Sequence, residues 1–273
     1  MLGYYPQMKL DGCNALVTGA SAGIGREFAR QLAGRAAMIV LVARRRERLD
    51  ELREELAKRD PNLTVHVRAV DLADKLQIYA LVEWLEREKI TIDFLINNAG
   101  LGDLGPFATS DPERVERIIL VNMLAPTLLT RRLLPAMVAK KRGAILNVSS
   151  SAGFLPIAEF SVYAASKAYL TSFSEGLRVE LRGTGVSVCA LCPGPVHTEF
   201  DEVAHRPTSP RKGSPEFVHV SAENVARAGL AGIENDRALV IPGFVMKLGM
   251  FFVRIMPMWI LRLRSLRSAQ KTA

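Results

Sequence analysis

Tyr163 and Lys167 stand four residues apart in the run FSVYAASKAYL. On a helix that spacing puts both side chains on one face. A free phenol has a pKa of about 10, so an isolated tyrosine is a poor acid or base at neutral pH. A cation within several ångströms favours the phenolate and brings the group toward the working range of proton transfer. The pair reads either as two surface residues that happen to share a face or as a proton donor with the residue that tunes it. The second reading requires a site around the pair, and the rest of the chain must build it.

Short apolar runs alternate with amphipathic stretches up to residue 242. Seven strands are predicted, at 14–18, 37–43, 64–70, 92–97, 143–149, 185–191 and 237–241. Helices are predicted between them at 22–34, 45–59, 74–89, 112–140, 160–182 and 222–234. Leu49, Leu52 and Leu56 follow the i, i+3, i+7 stripe of a helix buried on one side. Strands that are apolar throughout, alternating with helices, imply a parallel sheet covered on both faces. The expected fold is therefore α/β, a doubly wound Rossmann-type sheet of about seven strands. No Pro-, Gly- or Ser-rich linker divides residues 1–242, which read as one domain, with 243–273 as a separate tail.

The first strand runs into Thr18-Gly19-Ala20-Ser21-Ala22-Gly23-Ile24-Gly25 and then a helix. Glycines let a backbone turn tightly and approach a phosphate, and the free N–H groups of the helix start favour the anion. Three residues, not one, separate the first two glycines. The second strand ends in Arg44, nineteen residues past Gly25, followed by Arg45 and Arg46. An acidic residue there would hold the ribose hydroxyls of NAD, whereas a basic one accommodates the extra phosphate of NADP. Cations at a helix start also oppose its dipole, which argues for a bound anion. NADP(H) is therefore favoured over NAD(H). Asp71, after the third strand, reads as a helix cap, an adenine contact, or both.

Other chemistries find less support. Cys13, Cys189 and Cys192 are too few and too odd for a disulfide framework and point to a reducing compartment. Cys189 and Cys192 form a CxxC, but within a strand side chains three apart face opposite ways. His66, His197, His205 and His219 show no metal-ligand spacing, so no metal is expected. Of the net charge of +8, six charges lie in residues 243–273, which hold no acidic residue. The basicity thus belongs to a tail and not to a nucleic-acid-binding face, and the start of the chain lacks a secretory pattern. A cytoplasmic protein is expected.

Six segments occur in order: TGASAGIG (18–25), NNAG (97–100), Asn122 in LVNMLAP, ILNVSSSAG (145–153), YAASK (163–167) and CPGPVHT (192–198). Together they resemble the short-chain dehydrogenase/reductase family in its compact form, over residues 10–242. The resemblance implies a catalytic group of Asn122, Ser150, Tyr163 and Lys167. Ser150 is preferred to Ser149 and Ser151 because it precedes Tyr163 by thirteen residues and Gly153 by three. It further implies cofactor contacts from Gly19, Ser21, Gly23, Ile24, Gly25, Arg44, Arg45, Asp71, Leu72, Asn98, Ala99, Gly100, Tyr163, Lys167, Pro193, Gly194, Val196 and Thr198. Asn97 reads equally as a sheet-steadying residue.

On that resemblance the nicotinamide brings a hydride and Tyr163 a proton. Lys167 and the oxidised nicotinamide lower the Tyr163 pKa, while Lys167 also grips the ribose. Ser150 steadies the substrate oxygen, and Asn122 holds a water in the proton path. The implied partner is a small carbonyl or alcohol, and the implied assembly is a homodimer or homotetramer. Phe107, Phe154, Leu155 and Phe160 suggest an apolar substrate such as a 3-oxoacyl or steroid-like ketone. The segment from Glu199 to about Val220 is expected to be a mobile lid. The alternatives are a nucleotide-binding regulator without turnover, or an isomerase or dehydratase on the same scaffold. In the tail, Lys247, Arg254 and Arg262 read as one arc of a basic amphipathic helix opposite Phe251 and Met258. That helix would lie on an anionic membrane surface, cover the substrate cleft, or pack on another subunit.

Overall fold

The computed structural model describes residues 8–206, 215–257 and 260. Seven strands form one parallel sheet: β1 Asn14–Thr18, β2 Met38–Ala43, β3 Thr64–Ala69, β4 Phe94–Asn97, β5 Gly143–Val148, β6 Val186–Leu191 and β7 Leu239–Val240. Their order is β3-β2-β1-β4-β5-β6-β7, so the chain winds outward from β1 and then, after crossing over, outward from β4. The gap between the ends of β1 and β4 is the switch point where such sheets bind ligands.

Strand periodicity explains the two cores. Ala15, Val17, Ile39, Leu41, Ile96, Leu146 and Cys189 point to one face. There they meet Phe28 and Leu32 of α1 (Gly23–Leu32), the three leucines of α2 (Arg46–Arg59), and Val225 and Leu230 of α8 (Ala222–Glu234). Leu16, Val40, Leu95, Ile145 and Val188 point to the other face. They pack on Ile78 and Leu81 of α3 (Lys75–Arg87), Leu129 and Leu133 of α5 (Ala125–Ala139) and Leu177 of α6 (Ser161–Glu180). Side chains alternate with period two, so a continuously apolar strand feeds both layers.

Three sequence expectations change. The helix expected over 112–140 is three pieces: α4 (Pro112–Ile119), a π-helical segment Leu120–Leu124, and α5. A π turn widens the helix locally, a device concentrated at functional sites, and this one carries Asn122. The lid segment contains a short helix, α7 (Glu199–Ala204), and the turn Glu216–Val218; residues 207–214 lie outside the described set. In the tail, α9 spans Phe244–Ile255. Phe251 follows Lys247 by four residues and therefore stands beside it, not opposite. Arg262 and Met258 lie outside the described residues.

Candidate active site

The site begins with a hydroxyl that sequence reading passed over. Thr18, the last residue of β1, donates to the Ile96 carbonyl at 3.2 Å and accepts from the N–H groups of Asn98 (2.9 Å) and Ala99 (3.1 Å). One proton and two lone pairs are all in use, and they fix the ends of β1 and β4 side by side. Asn98 Nδ2 adds bonds to the carbonyls of Thr18 and Gly19 at 2.9 and 3.3 Å. In the sequence Thr18 stood at the strand end and opened the glycine turn, with no role of its own assigned.

The glycine turn is closed too tightly for side chains. Gly19 has φ +68° and Gly23 φ +54°, and a Cβ on Gly25 would stand 2.3 Å from the Gly19 carbonyl oxygen. Helix α1 begins at Gly23 with no side-chain cap and no acidic residue in its first turn. A glycine cradle leading to an uncapped helix start fits a phosphate. Ser21 is buried beside it, and Ile24 packs into the adjoining core. The Thr198 methyl lies against Gly23, and the Thr198 hydroxyl caps α7 by accepting from Phe200 N at 3.3 Å.

Beyond the turn stands a group of arginines. Arg44 is exposed and makes no ion pair among the described residues. Arg45 reaches Ser21 Oγ at 3.2 Å and Glu199 at 2.8 Å, and Arg48 also pairs with Glu199. The two guanidiniums hold the Glu199 carboxyl below its usual range. Asp71 is not the cap of α3, since Asp74 accepts from Leu76 N in that role. Asp71 instead accepts from Ala73 N at 3.0 Å and pairs with Arg117 at 2.8 Å. Leu72 is buried among the side chains of the second core, so only its backbone faces the cleft side.

The proposed catalytic group comes together at the C-terminal end of β5. Tyr163 and Lys167, on the first two turns of α6, are both buried. Lys167 Nζ donates to the Val148 carbonyl at 2.8 Å and lies 5.6 Å from the centre of the Tyr163 ring. Ser150 faces the phenol. Ser149 turns the other way, donating to the Lys167 carbonyl at 2.7 Å, as expected for neighbours in extended backbone. Ser151 opens the 3₁₀ turn Ser151–Phe154 and ties its N–H to the Pro193 carbonyl at 2.8 Å. Gly153 sits on α6 so closely that a Cβ would be 2.8 Å from Ala168 N.

The π segment turns the buried Asn122 inward. Its Nδ2 donates to the Leu101 carbonyl (2.9 Å) and Ser166 Oγ (2.9 Å), and its Oδ1 accepts from Leu101 N (2.8 Å). Both donors are spent, which leaves one oxygen lone pair for a further donor such as water. Gly100 lies between: a Cβ there would be 3.3 Å from Lys167 Nζ and 3.6 Å from Asn122 Oδ1. Asn97 is buried in the sheet, bonded to Asn147 (2.8 Å) and Thr130 (3.3 Å), and takes the structural role.

Burial pushes the Tyr163 phenol up to about 12, against a downward pull from Ser150, and the nearby Asp201 adds to the rise. Burial also brings Lys167 down to about 8. The protein's own groups therefore keep the phenol protonated. Cys189 packs in the first core and Cys192 lies against Thr171 of α6, both thiols pushed up by burial, to about 12 and about 11; they are packing residues.

The roof over Tyr163 was less legible. Phe160 stacks on the phenol ring at 4.3 Å, and Phe200 of α7 tilts over it at 5.2 Å. Phe107 is exposed, and the Arg254 guanidinium lies 5.7 Å from the Phe154 ring. Leu104 N donates to the Ala204 carbonyl at 2.8 Å. The buried carboxylate of Asp103 takes a two-point grip from Arg206, with one bond at 2.8 Å, and a third contact from Arg114 at 3.1 Å. These cations hold the Asp103 carboxyl low. At the outer edge His197, Glu216 and His219 gather their ligating atoms within 4.8 Å, although no sequence spacing announced it. A His197–Glu216 hydrogen bond of 3.0 Å and a stack of the two imidazoles account for that contact.

The glycine-rich turn at the switch point thus stands beside a buried Tyr–Lys–Ser group. Residues 13–208 match the short chain dehydrogenase family, and the chain belongs to it. A short chain dehydrogenase of Pseudocercospora fijiensis is 40% identical over 201 residues, covering 71% of this chain and 63% of that relative. The NADP-dependent 3-hydroxy acid dehydrogenase of Escherichia coli is 37% identical over 190 residues, 69% of this chain and 75% of the other. A short-chain dehydrogenase from Sphingobium yanoikuyae, solved in complex with NADPH, superposes with a TM-score of 0.76 at 31% identity. It covers 95% of this chain and 94% of its own.

Proposed function

We propose that the protein interconverts an apolar ketone or aldehyde and its alcohol with NADP(H). The observation that carries this reading is the buried Tyr163 phenol, roofed by Phe160 and Phe200, faced by Ser150 and one turn from a buried Lys167. NADP(H), when bound, supplies or accepts the hydride. Gly19, Gly23, Gly25 and the α1 start hold its pyrophosphate, and Arg44 and Arg45 hold the ribose phosphate. Asn98 to Gly100, Pro193, Gly194, Val196 and Thr198 frame the rest of the groove.

Tyr163 gives its proton to the substrate oxygen, and Ser150 donates a hydrogen bond to that oxygen as charge grows on it. Lys167, an ammonium below about pH 8, sits where it favours the phenolate left behind. Asn122 uses its free oxygen lone pair to order a water leading from Lys167 outward. Phe160 and Phe200 exclude bulk water from the phenol and accept an apolar substrate body. The NADP-bound relative supports the cofactor assignment, and the free Arg44 is its counterpart in this chain. A regulatory protein without turnover would have no use for a buried lysine facing a buried phenol.

The test follows NADPH oxidation across 3-oxoacyl thioesters, steroid-like ketones and small aldehydes, with NADH run in parallel. Consumption of NADPH by an apolar carbonyl, faster than with NADH, is expected. Absence of turnover across all classes despite cofactor binding would contradict the reading.

A further inference from the structure

Helix α9 presents a face that a water-soluble surface does not explain. Phe244 is 80% exposed, Ile255 64%, Phe251 58% and Phe252 52%, with Leu248 and Val245 each at 48%. At about 100° per residue these six fall within one arc of roughly 120°. The opposite side is anchored. Met250 is buried, and Met246 packs on Gly194, where a Cβ would meet its side chain at 2.8 Å. The helix is thus docked on the loop after β6 by one face and shows an apolar face to solvent. The exposed area is roughly 600 Å², at the upper end of the largest patches on ordinary monomers.

The charges choose the occupant. Lys247 and Arg254 lie seven residues apart, on one flank between the apolar and buried faces. Among the described residues, the ion pair of Arg254 is a long, half-exposed contact to Glu175 at 3.9 Å. Residues 261–273 add Arg262, Arg264, Arg267 and Lys271, and residues 243–273 contain no acidic side chain. A second copy seated on this face would bring two such cationic segments together. An anionic lipid surface neutralises them and takes up the phenylalanines at the same time. A helix of twelve residues is about 18 Å long, enough to lie in the interface and too short to span it.

We propose that α9 docks the protein on anionic membrane surfaces, with Phe244, Leu248, Phe251, Phe252 and Ile255 entering the lipid. The anchored face of α9 adjoins the Ser151–Phe154 turn, with Arg254 5.7 Å from the Phe154 ring. The membrane then lies beside that turn, which follows Ser150 in the chain. The docking does not depend on which reaction the cleft performs.

Co-sedimentation of the full chain with phosphatidylcholine vesicles, with and without about one third phosphatidylglycerol, tests the proposal. The protein is expected to pellet with the anionic vesicles, less so as salt is raised. A Phe251→Glu/Phe252→Glu variant is expected to partition at least tenfold more weakly, while its NADPH turnover on a water-soluble carbonyl stays within twofold. If circular dichroism shows that variant misfolded, Leu248→Gln gives the same comparison with a smaller loss. Wild type left in the supernatant with both vesicle types overturns the proposal, as does equal partition of wild type and folded variants. A dimer that the variant splits, with no vesicle binding by either, overturns it and gives the face to a second copy. Vesicle binding without turnover on any carbonyl supports the docking and counts only against the oxidoreductase reading.

Discussion

The glycine turn and the roof over Tyr163 stand on two sides of one cleft, yet they are built by different physics. The turn is local: positive-φ glycines, a Thr18 hydroxyl and an uncapped helix start, within a dozen residues of one another except for the β4 end that Thr18 grips. The roof is assembled at long range. Asp103 and Arg206 are 103 residues apart, and Arg45 and Glu199 are 154 apart. Covalent geometry specifies the first; the second exists only once the fold has brought charges together. The first should therefore fail abruptly on substitution, and the second by degrees.

Gly25→Val should be the most damaging change to the turn. Its Cβ would enter the space of a backbone carbonyl only 2.3 Å away, which nothing flexible can relieve. Loss of measurable NADPH binding by fluorescence titration is expected, with a lowered Tm. Arg44→Ala should leave the fold intact and cost NADPH affinity roughly tenfold or more, the scale of a charge-assisted phosphate contact. NADH affinity should stay the same, so the ratio of the two kcat/KM values reports the loss.

On the roof, Asp103→Asn leaves the Arg206 guanidinium half-paired in a site where the carboxylate side chain is 4% exposed. Removing one partner of a buried pair is destabilising. A several-fold rise in KM for an apolar carbonyl and faster proteolysis of the 199–206 segment are expected, with cofactor affinity unchanged. The sign of the pH effect follows from the lowered Asp103 carboxyl. Its stabilisation is complete above the unfolded value of about 3.9 and is lost as pH falls through the lower folded value. The roof should therefore loosen only in acid. Glu199→Gln should give the smallest effect. Its ion pairs are 40% or more exposed on both sides, so they contribute little stability. Removing a carboxylate that competes for Arg45 and Arg48 should tighten NADPH binding about two- to threefold.

The same division explains what the sequence made legible. The strands, the helices and the two-sided sheet were readable because apolar periodicity is local, and the alternation of Leu16 and Val17 between cores is its direct expression. Ser150 was preferred to Ser149 by its spacing to Gly153 and Tyr163. The break in the 112–140 helix was hidden, because LVNML carries no glycine or proline to mark a π turn. Phe200, Asp103 and Arg206 were unreadable as a unit, since each is an ordinary residue until the fold pairs it. The balance at Tyr163 was not readable for a related reason: spacing reveals the cation, but burial, which pushes the phenol up, is a property of the whole fold.

The central claim is that the buried phenol is the proton donor and that Lys167 supports it. Tyr163→Phe removes one oxygen and keeps the ring stacked between Phe160 and Phe200. NADPH oxidation with the best carbonyl substrate should fall roughly 10²–10⁴-fold, the contribution of a positioned general acid, while NADPH binding stays within about twofold, as expected for a group that acts mainly in the transition state. In the wild type, carbonyl reduction should decline as pH rises through about 8, where Lys167 loses its proton. A Tyr163→Phe enzyme that keeps most of its reductase rate would contradict the account.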